Sequence, residues 1–325
     1  MTIRKMNYFL GLLLLSLGYA NMGCSSSSND NDGGGSKELL PTMKGKLIYH
    51  NYSTYDAGDS QIWLYDFSSK ALSCISKSWT VVTNAMNAHF SPDGKQIVFM
   101  GIGKATNTWD VFTYDLTKGG EPVNLTPSGN NRDEDPQYSP DGTRIVFKQN
   151  GGLAEMNLAT KSVTVLTGSE YSMPAYNSAG TKIICSKGDG ENSSLVVVDI
   201  QTKAITTLYD EPGVQDYFPT AIDASSFYYS RGYDSKNMVD QIYRGYWSGL
   251  KSERLKFNNT DGDYSDASHI NSDWLVLSSD RPGTQGQYDL YIASTSTSEI
   301  HSLSEYNASI NTGKNELGAS VFIEK

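Results

Sequence analysis

Three cysteines and four histidines in 325 residues leave little material for several common chemistries. One cysteine lies near the N-terminus, so Cys74 and Cys185 form at most one pair, which excludes a disulfide framework and a Cys-x-x-Cys centre. No His-Glu-x-x-His, Gly-x-Ser-x-Gly or Gly-rich phosphate loop occurs, so zinc protease, serine hydrolase and nucleotide chemistry have no local signature. Basic residues are outnumbered 26 to 36, a net charge of −10, and nucleic acid is not an expected partner. Beyond the N-terminal segment no apolar run approaches the roughly 20 residues of a membrane span. Long Ala/Glu/Leu-rich windows are missing as well, whereas 21 Tyr and 30 Gly, with many Ser and Thr, favour strands and turns.

The N-terminus opens "MTIRKMNYFLGLLLLSLGYANMGC", two basic residues followed by a short apolar stretch and small residues. That is the pattern of an export signal over residues 1–23. With Gly23-Cys24 at its end it resembles a bacterial lipoprotein signal, which implies a lipid anchor on Cys24 and a place in the cell envelope, on the periplasmic or surface side of the outer membrane. Residues 24–44, "CSSSSNDNDGGGSKE" and the few that follow, offer little to bury and read as a flexible tether.

What remains, residues 45–325, is organised by repetition. "HFSPDGKQIVF" (residues 89–99) returns as "QYSPDGTRIVF" (137–147), with weaker echoes in "AYNSAGTKIICS", "TAIDASSFYYS" and "SHINSDWLVLSS". Each is a short strand, a turn and an apolar strand; Pro and Gly supply the φ values such a turn needs. A third strand follows in every unit, as in "QIWLYDF", "DVFTYDL" and "SLVVVDI", and then a shorter fourth, as in "PVNLT" and "VTVLT". Four antiparallel strands recurring every 40 to 50 residues or so predict an all-β, six-bladed β-propeller. The first unit lacks its innermost strand and the chain ends with a lone strand, "ELGASVFIE". That leftover strand is expected to complete the first blade and close the ring. Cys74 and Cys185 then fall on opposite blades and are expected to be free, buried thiols.

The SPDG phrase, followed by an aromatic "YDL"-type strand and an "LT" strand, resembles the WD40-like (PD40) propeller repeat of the TolB family, over about 280 residues. The resemblance implies a six-bladed fold but leaves function open, because such blades serve in periplasmic scaffolds, peptidase propellers and oligogalacturonate lyases. Only the tether precedes the repeat here, so the resemblance does not carry over membership of a Tol-type complex.

Sorting loops by blade face gathers Trp79, Arg132, Asp133, Glu134, Asp135, Tyr171, Asp216, Tyr217, Tyr264 and Asp266 at entries to innermost strands. Trp109, Arg231, Tyr233 and Arg281 come from the neighbouring loops of the same face. This acidic, aromatic channel mouth is the candidate site for a protein, peptide or glycan. The opposite turns carry Lys70, Lys95, Lys161 and Lys203 among others and read as solvated. No cofactor is expected; calcium is a lesser candidate at Asp261, Asp263 and Asp266, which lack the spacing of an EF-hand. A three-histidine metal or base site from His50, His89 and His269 is weighed against isolated polar residues near a channel, and the second is preferred. The expected function is a non-catalytic binding or scaffold module of the cell envelope; the alternative is a polysaccharide-degrading enzyme working at the same mouth.

Overall fold

The SPDG phrase owes its recurrence to a self-contained turn. In the computed structural model, which describes residues 40–188, 192–233, 239–249 and 251–324, Ser91 Oγ donates to Asp93 Oδ1 at 2.7 Å and accepts the Gln96 N–H at 3.0 Å. Ser139, Asp141 and Arg144 repeat this at 2.6 and 3.0 Å. In the next unit Asn177 does the work of both residues, accepting the Thr181 and Lys182 N–H groups at 2.9 Å. The echo fades in the sequence because several side chains satisfy the same backbone donors. Gly94, at φ +67°, has a second reason to be glycine: the ring of Phe322 lies where a Cβ would stand.

Strands follow one another as antiparallel meanders and the fold is an all-β β-propeller; helix is limited among the described residues to the 3-10 turns Tyr55–Ala57 and Leu303–Glu305. Among the described residues four sheets have four strands and one has eight. The expected blades therefore occur as five hydrogen-bonded sheets. The eight-stranded one holds two meanders, Tyr171–Tyr176 through Ile205–Tyr209 and Val214–Ala221 through Glu253–Arg254, joined by the parallel bridge Ser193↔Gln215. The C-terminal strand Asn315–Ile323 pairs antiparallel with Gly45–Tyr52, from Gly45↔Ile323 to Tyr52↔Asn315, as the vacancy in the first unit required.

Apolar side chains are layered between successive units rather than gathered in one centre. Ile48 and Ile62 pack with Phe99 and Phe112, Val98 and Val111 with Phe147, and finally Val276 and Ile292 with Leu47 and Tyr49. Packing of each face against the next unit brings the innermost strands together around an axis. Val82–Phe90, Asp133–Tyr138, Tyr171–Tyr176, Val214–Ala221, Tyr264–His269 and Asn315–Ile323 each lie against the next, and the last lies against the first.

Cys74 and Cys185 are both free, on Leu72–Cys74 and Lys182–Gly188. Cys185 is fully buried; Cys74 is half-exposed, contrary to expectation, because it ends an outermost strand with no further strand to cover it. Lys70, Lys161 and Lys203 sit at φ 57–61° in turns organised by Asp66, Asn157 and Asp199, whose side chains accept the N–H groups two and three residues on or, for Asp199, three on. The signal region, Cys24 and most of the tether lie outside the described residues.

Candidate functional site

Val82–Phe90 is broken twice, once at Asn84 (φ 53°), and every innermost strand is broken at one common level. Two of its residues face one on the neighbouring strand, and the first of the two adopts left-handed φ: Asn87 (51°), Asp135 (50°), Met173 (54°), Phe218 (47°), Asp266 (54°) and Gly318 (61°). In three consecutive units proline follows, Pro136, Pro174 and Pro219, and a residue without an N–H cannot continue the ladder. Opposite each break stands a fully or nearly fully buried residue, such as Tyr49, Phe99, Phe147 or Cys185. Asn and Asp tolerate left-handed backbone; Met and Phe do so at a cost of about 1–3 kcal/mol each. A Cβ on Gly318 would meet His50 Cε1 at 2.7 Å, so that position admits only glycine.

The six residues form a collar around one cavity of about 60 Å³, which every innermost strand lines. Side chains tie the collar from unit to unit. Asn87 Nδ2 donates to Asp135 Oδ1 at 2.9 Å, the Met173 N–H donates to the Asp135 carboxylate, and the Gly318 N–H donates to Asp266 Oδ2 at 3.4 Å. The Asn87 N–H is taken by His50 Nδ1 at 3.3 Å. A second cavity of about 230 Å³ shares His89 and Gln137 with the first and runs toward the SPDG turns, between Phe90, Tyr138 and Phe322.

Of the expected mouth residues, only Asp135 and Asp266 line the collar cavity. Trp79 is buried and stacks on Phe99 with ring centres 5.0 Å apart, and Trp109 packs with Met86 and Met100 beneath the Arg132 guanidinium. Tyr171 and Tyr264 are core residues, and Arg281 lies over Tyr291. Asp133 is fully buried and accepts from Gln149 Nε2 at 3.0 Å. Asp216, also fully buried, takes a two-pronged bond from Arg231 at 2.7 and 2.8 Å. Tyr233 pairs through its backbone with Val214, and its side chain is outside the described residues. Loop position predicts the aromatic residues ahead of innermost strands at the rim; the blades instead draw them between their faces, where large side chains fill the widening gap.

Glu134 sits between two cations, Arg132 Nη2 at 2.6 Å and Lys148 Nζ at 2.9 Å. Burial favours its neutral form, but the two cations outweigh that and hold it below the ordinary range. At the junction of the fifth and sixth units the pattern reverses. Asp280 Oδ1 accepts the Asp263 N–H at 2.7 Å, Asp263 Oδ1 accepts the Asp240 N–H at 2.8 Å, and Tyr288 donates to Asp263 Oδ2 at 3.0 Å. Tyr217 donates to Asp240 Oδ2. Burial, then the charge of Asp263, pushes Asp240 up to about 7; burial pushes Asp266 up to about 6. Sequence reading missed Asp240 and Asp280, which belong to loops with no repeat signature. It also missed the collar, although the aligned "EDP", "SMP" and "YFP" triplets carry a signal for it.

Burial holds His50 near 3 and His89 near 4, so both are neutral imidazoles at ordinary pH. Among the described residues no three His, Cys, Asp or Glu side chains converge in a way that would hold a metal ion, the Asp261–Asp263–Asp266 group included. No described helix is long and apolar enough to cross a membrane.

No family model matches the chain, and no curated protein matches it. Solved structures do. Hydrazine synthase from Kuenenia stuttgartiensis aligns with a TM-score of 0.69 and 13% identity over 86% of this chain, which spans about half (47%) of that one. A putative TolB from Agrobacterium tumefaciens aligns at 0.52 and 14% identity, over 66% of this chain and 89% of its own. An oligogalacturonate lyase in complex with manganese aligns at 0.51 and 19% identity, over 80% and 74%. At such identities the likeness is one of fold: the chain is a β-propeller similar to TolB and to other propellers.

Proposed function

We propose that this chain is a six-bladed propeller of the TolB-like, PD40-repeat kind, exported, lipid-anchored through Cys24 to the cell envelope, and acting as a non-catalytic binding module for a protein, peptide or glycan. Counting the eight-stranded sheet as two blades is supported by six innermost strands in cyclic contact and by an apolar layer between every pair of successive units. The anchor rests on the Gly23-Cys24 pattern alone.

One observation carries the binding reading: six strands each hold a left-handed residue at a single cavity, five of them not glycine. Backbone strain repeated at one layer is stored where a fold uses it. Glycan and peptide arrays probed with the full chain, with and without a chelator, test it. Retention on defined ligands, lost in the collar variant Phe218→Ala, is expected. Chelator-sensitive cleavage of oligogalacturonate would replace this reading with a lyase, and no retention on any array would remove it. Lipid labelling abolished by Cys24→Ser tests the anchor.

A further inference from the structure

Carboxylates crowd the junction of the fifth and sixth units, and among the described residues no cation pairs with them. From the rim inward they run Asp280, Asp263, Asp240 and Asp266, with Asp135 across the collar cavity. The first three are linked through backbone N–H groups at 2.7 and 2.8 Å, and Tyr217 bridges toward the interior. The charges acting on Asp240 are those of Asp263, Asp266 and Asp280, and the charge acting on Asp266 is that of Asp135. Among the described residues none of Asp240, Asp263, Asp266 and Asp280 makes an ion pair, whereas Glu134 has two cations and Asp216 has Arg231. One oxygen along this line, Asp240 Oδ1, is buried and meets no hydrogen-bond partner, whereas Asp266 has the Ser278 hydroxyl and the Gly318 N–H beside it.

A buried carboxylate oxygen without a donor is destabilising, so the ionised form of this line is completed by a donor from outside. A cationic donor matches it best, since all four side chains of the line are carboxylates. It is also extended rather than a point, because the carboxylates do not converge as metal ligands would. The Tyr217 and Tyr288 hydroxyls already donate to this line, to Asp240 and Asp263, and bring no positive charge to it.

We propose that the line from Asp280 through Asp263 and Asp240 to Asp266 is a track for a linear polycation, a chain of spaced ammonium or guanidinium groups such as a polyamine or a lysine-rich extended peptide. The inference rests on reading the channel face as a binding surface and names the chemistry that surface takes.

Titration calorimetry of the full chain with spermidine, pentalysine and calcium chloride tests it. Saturable binding of spermidine or pentalysine is expected, and the tighter of the two identifies a free polyamine or a peptide as the source. Asp240→Asn should weaken binding about tenfold, the effect of losing one close charge pair. Glu134→Gln, in the neutralised network, should leave it unchanged. Binding near pH 6.5 should release protons, as the cation drives Asp240 and Asp266 to ionise against Asp135, Asp263 and Asp280 around them. Should Asp240→Asn not fold, Asp280→Asn at the exposed rim carries the same expectation at about threefold. Unchanged affinity in a folded Asp240→Asn or Asp280→Asn overturns the proposal, as does tight calcium binding that displaces spermidine. Array ligands retained with no polycation affinity would sink the track and spare the binding module; polycation affinity with no effect of Phe218→Ala would do the reverse.

Discussion

Two sets of carboxylates lie toward the same side of this ring and are treated in opposite ways. Glu134 is clamped between Arg132 and Lys148, and Asp216 is gripped at both oxygens by Arg231. Asp240, Asp263, Asp266 and Asp280 have one another, two phenols and backbone N–H groups. In the first set burial is offset by cations and the acids hold units together. In the second nothing offsets it, and protonation is the fold's own remedy: Asp240 is raised to about 7 and Asp266 to about 6. An acidic surface in a sequence therefore mixes architecture with potential binding, and the presence of a partner cation separates them.

The comparison breaks most visibly at Arg231. Replacing it by alanine leaves a fully buried Asp216 unpaired, and stability in urea should fall by about 3–5 kcal/mol. Glu134→Gln, which leaves two cations facing a neutral amide, should cost about 1–3 kcal/mol by the same measurement. A calorimetric pH series then distinguishes the two sets. Asp133 and Asp266 near 6, and Asp240 and Glu316 near 7, hold protons in the folded state that the unfolded chain, near 4, gives up. Their contribution is fully present below about pH 4 and is lost as pH rises through 6 and 7. The melting temperature should therefore decline between pH 5.5 and 8. A flat profile there would mean that the second set is neutralised after all. Smallest is Asp240→Asn, which removes a repelled charge: a rise of roughly 2 °C in melting temperature at pH 8 that vanishes at pH 5.

How far the chain could be read in advance follows from where each signal is stored. The SPDG turns are local, with Ser, Asp and Gly acting within six residues, so two copies announced the repeat and its period. The closure of the ring by residues 315–323 was legible as a missing strand at one end and a spare one at the other. The rim is not legible in the sequence because loop position says where a residue starts, not where its side chain goes. Trp79, Tyr171 and Tyr264 leave the loops and enter the layers between units. The Asp240–Asp263–Asp280 line joins two units and three loops, and no linear pattern records it.

The sequence by itself determined the architecture of this protein: strand alternation, turn chemistry and the period of the repeat are local properties, and local properties are written residue by residue. Tertiary structure alone decided which acids are neutralised and which are not, and that six strands turn a left-handed residue toward one cavity. Charge compensation and convergence on an axis depend on distances across units, and those distances exist only once the ring has closed.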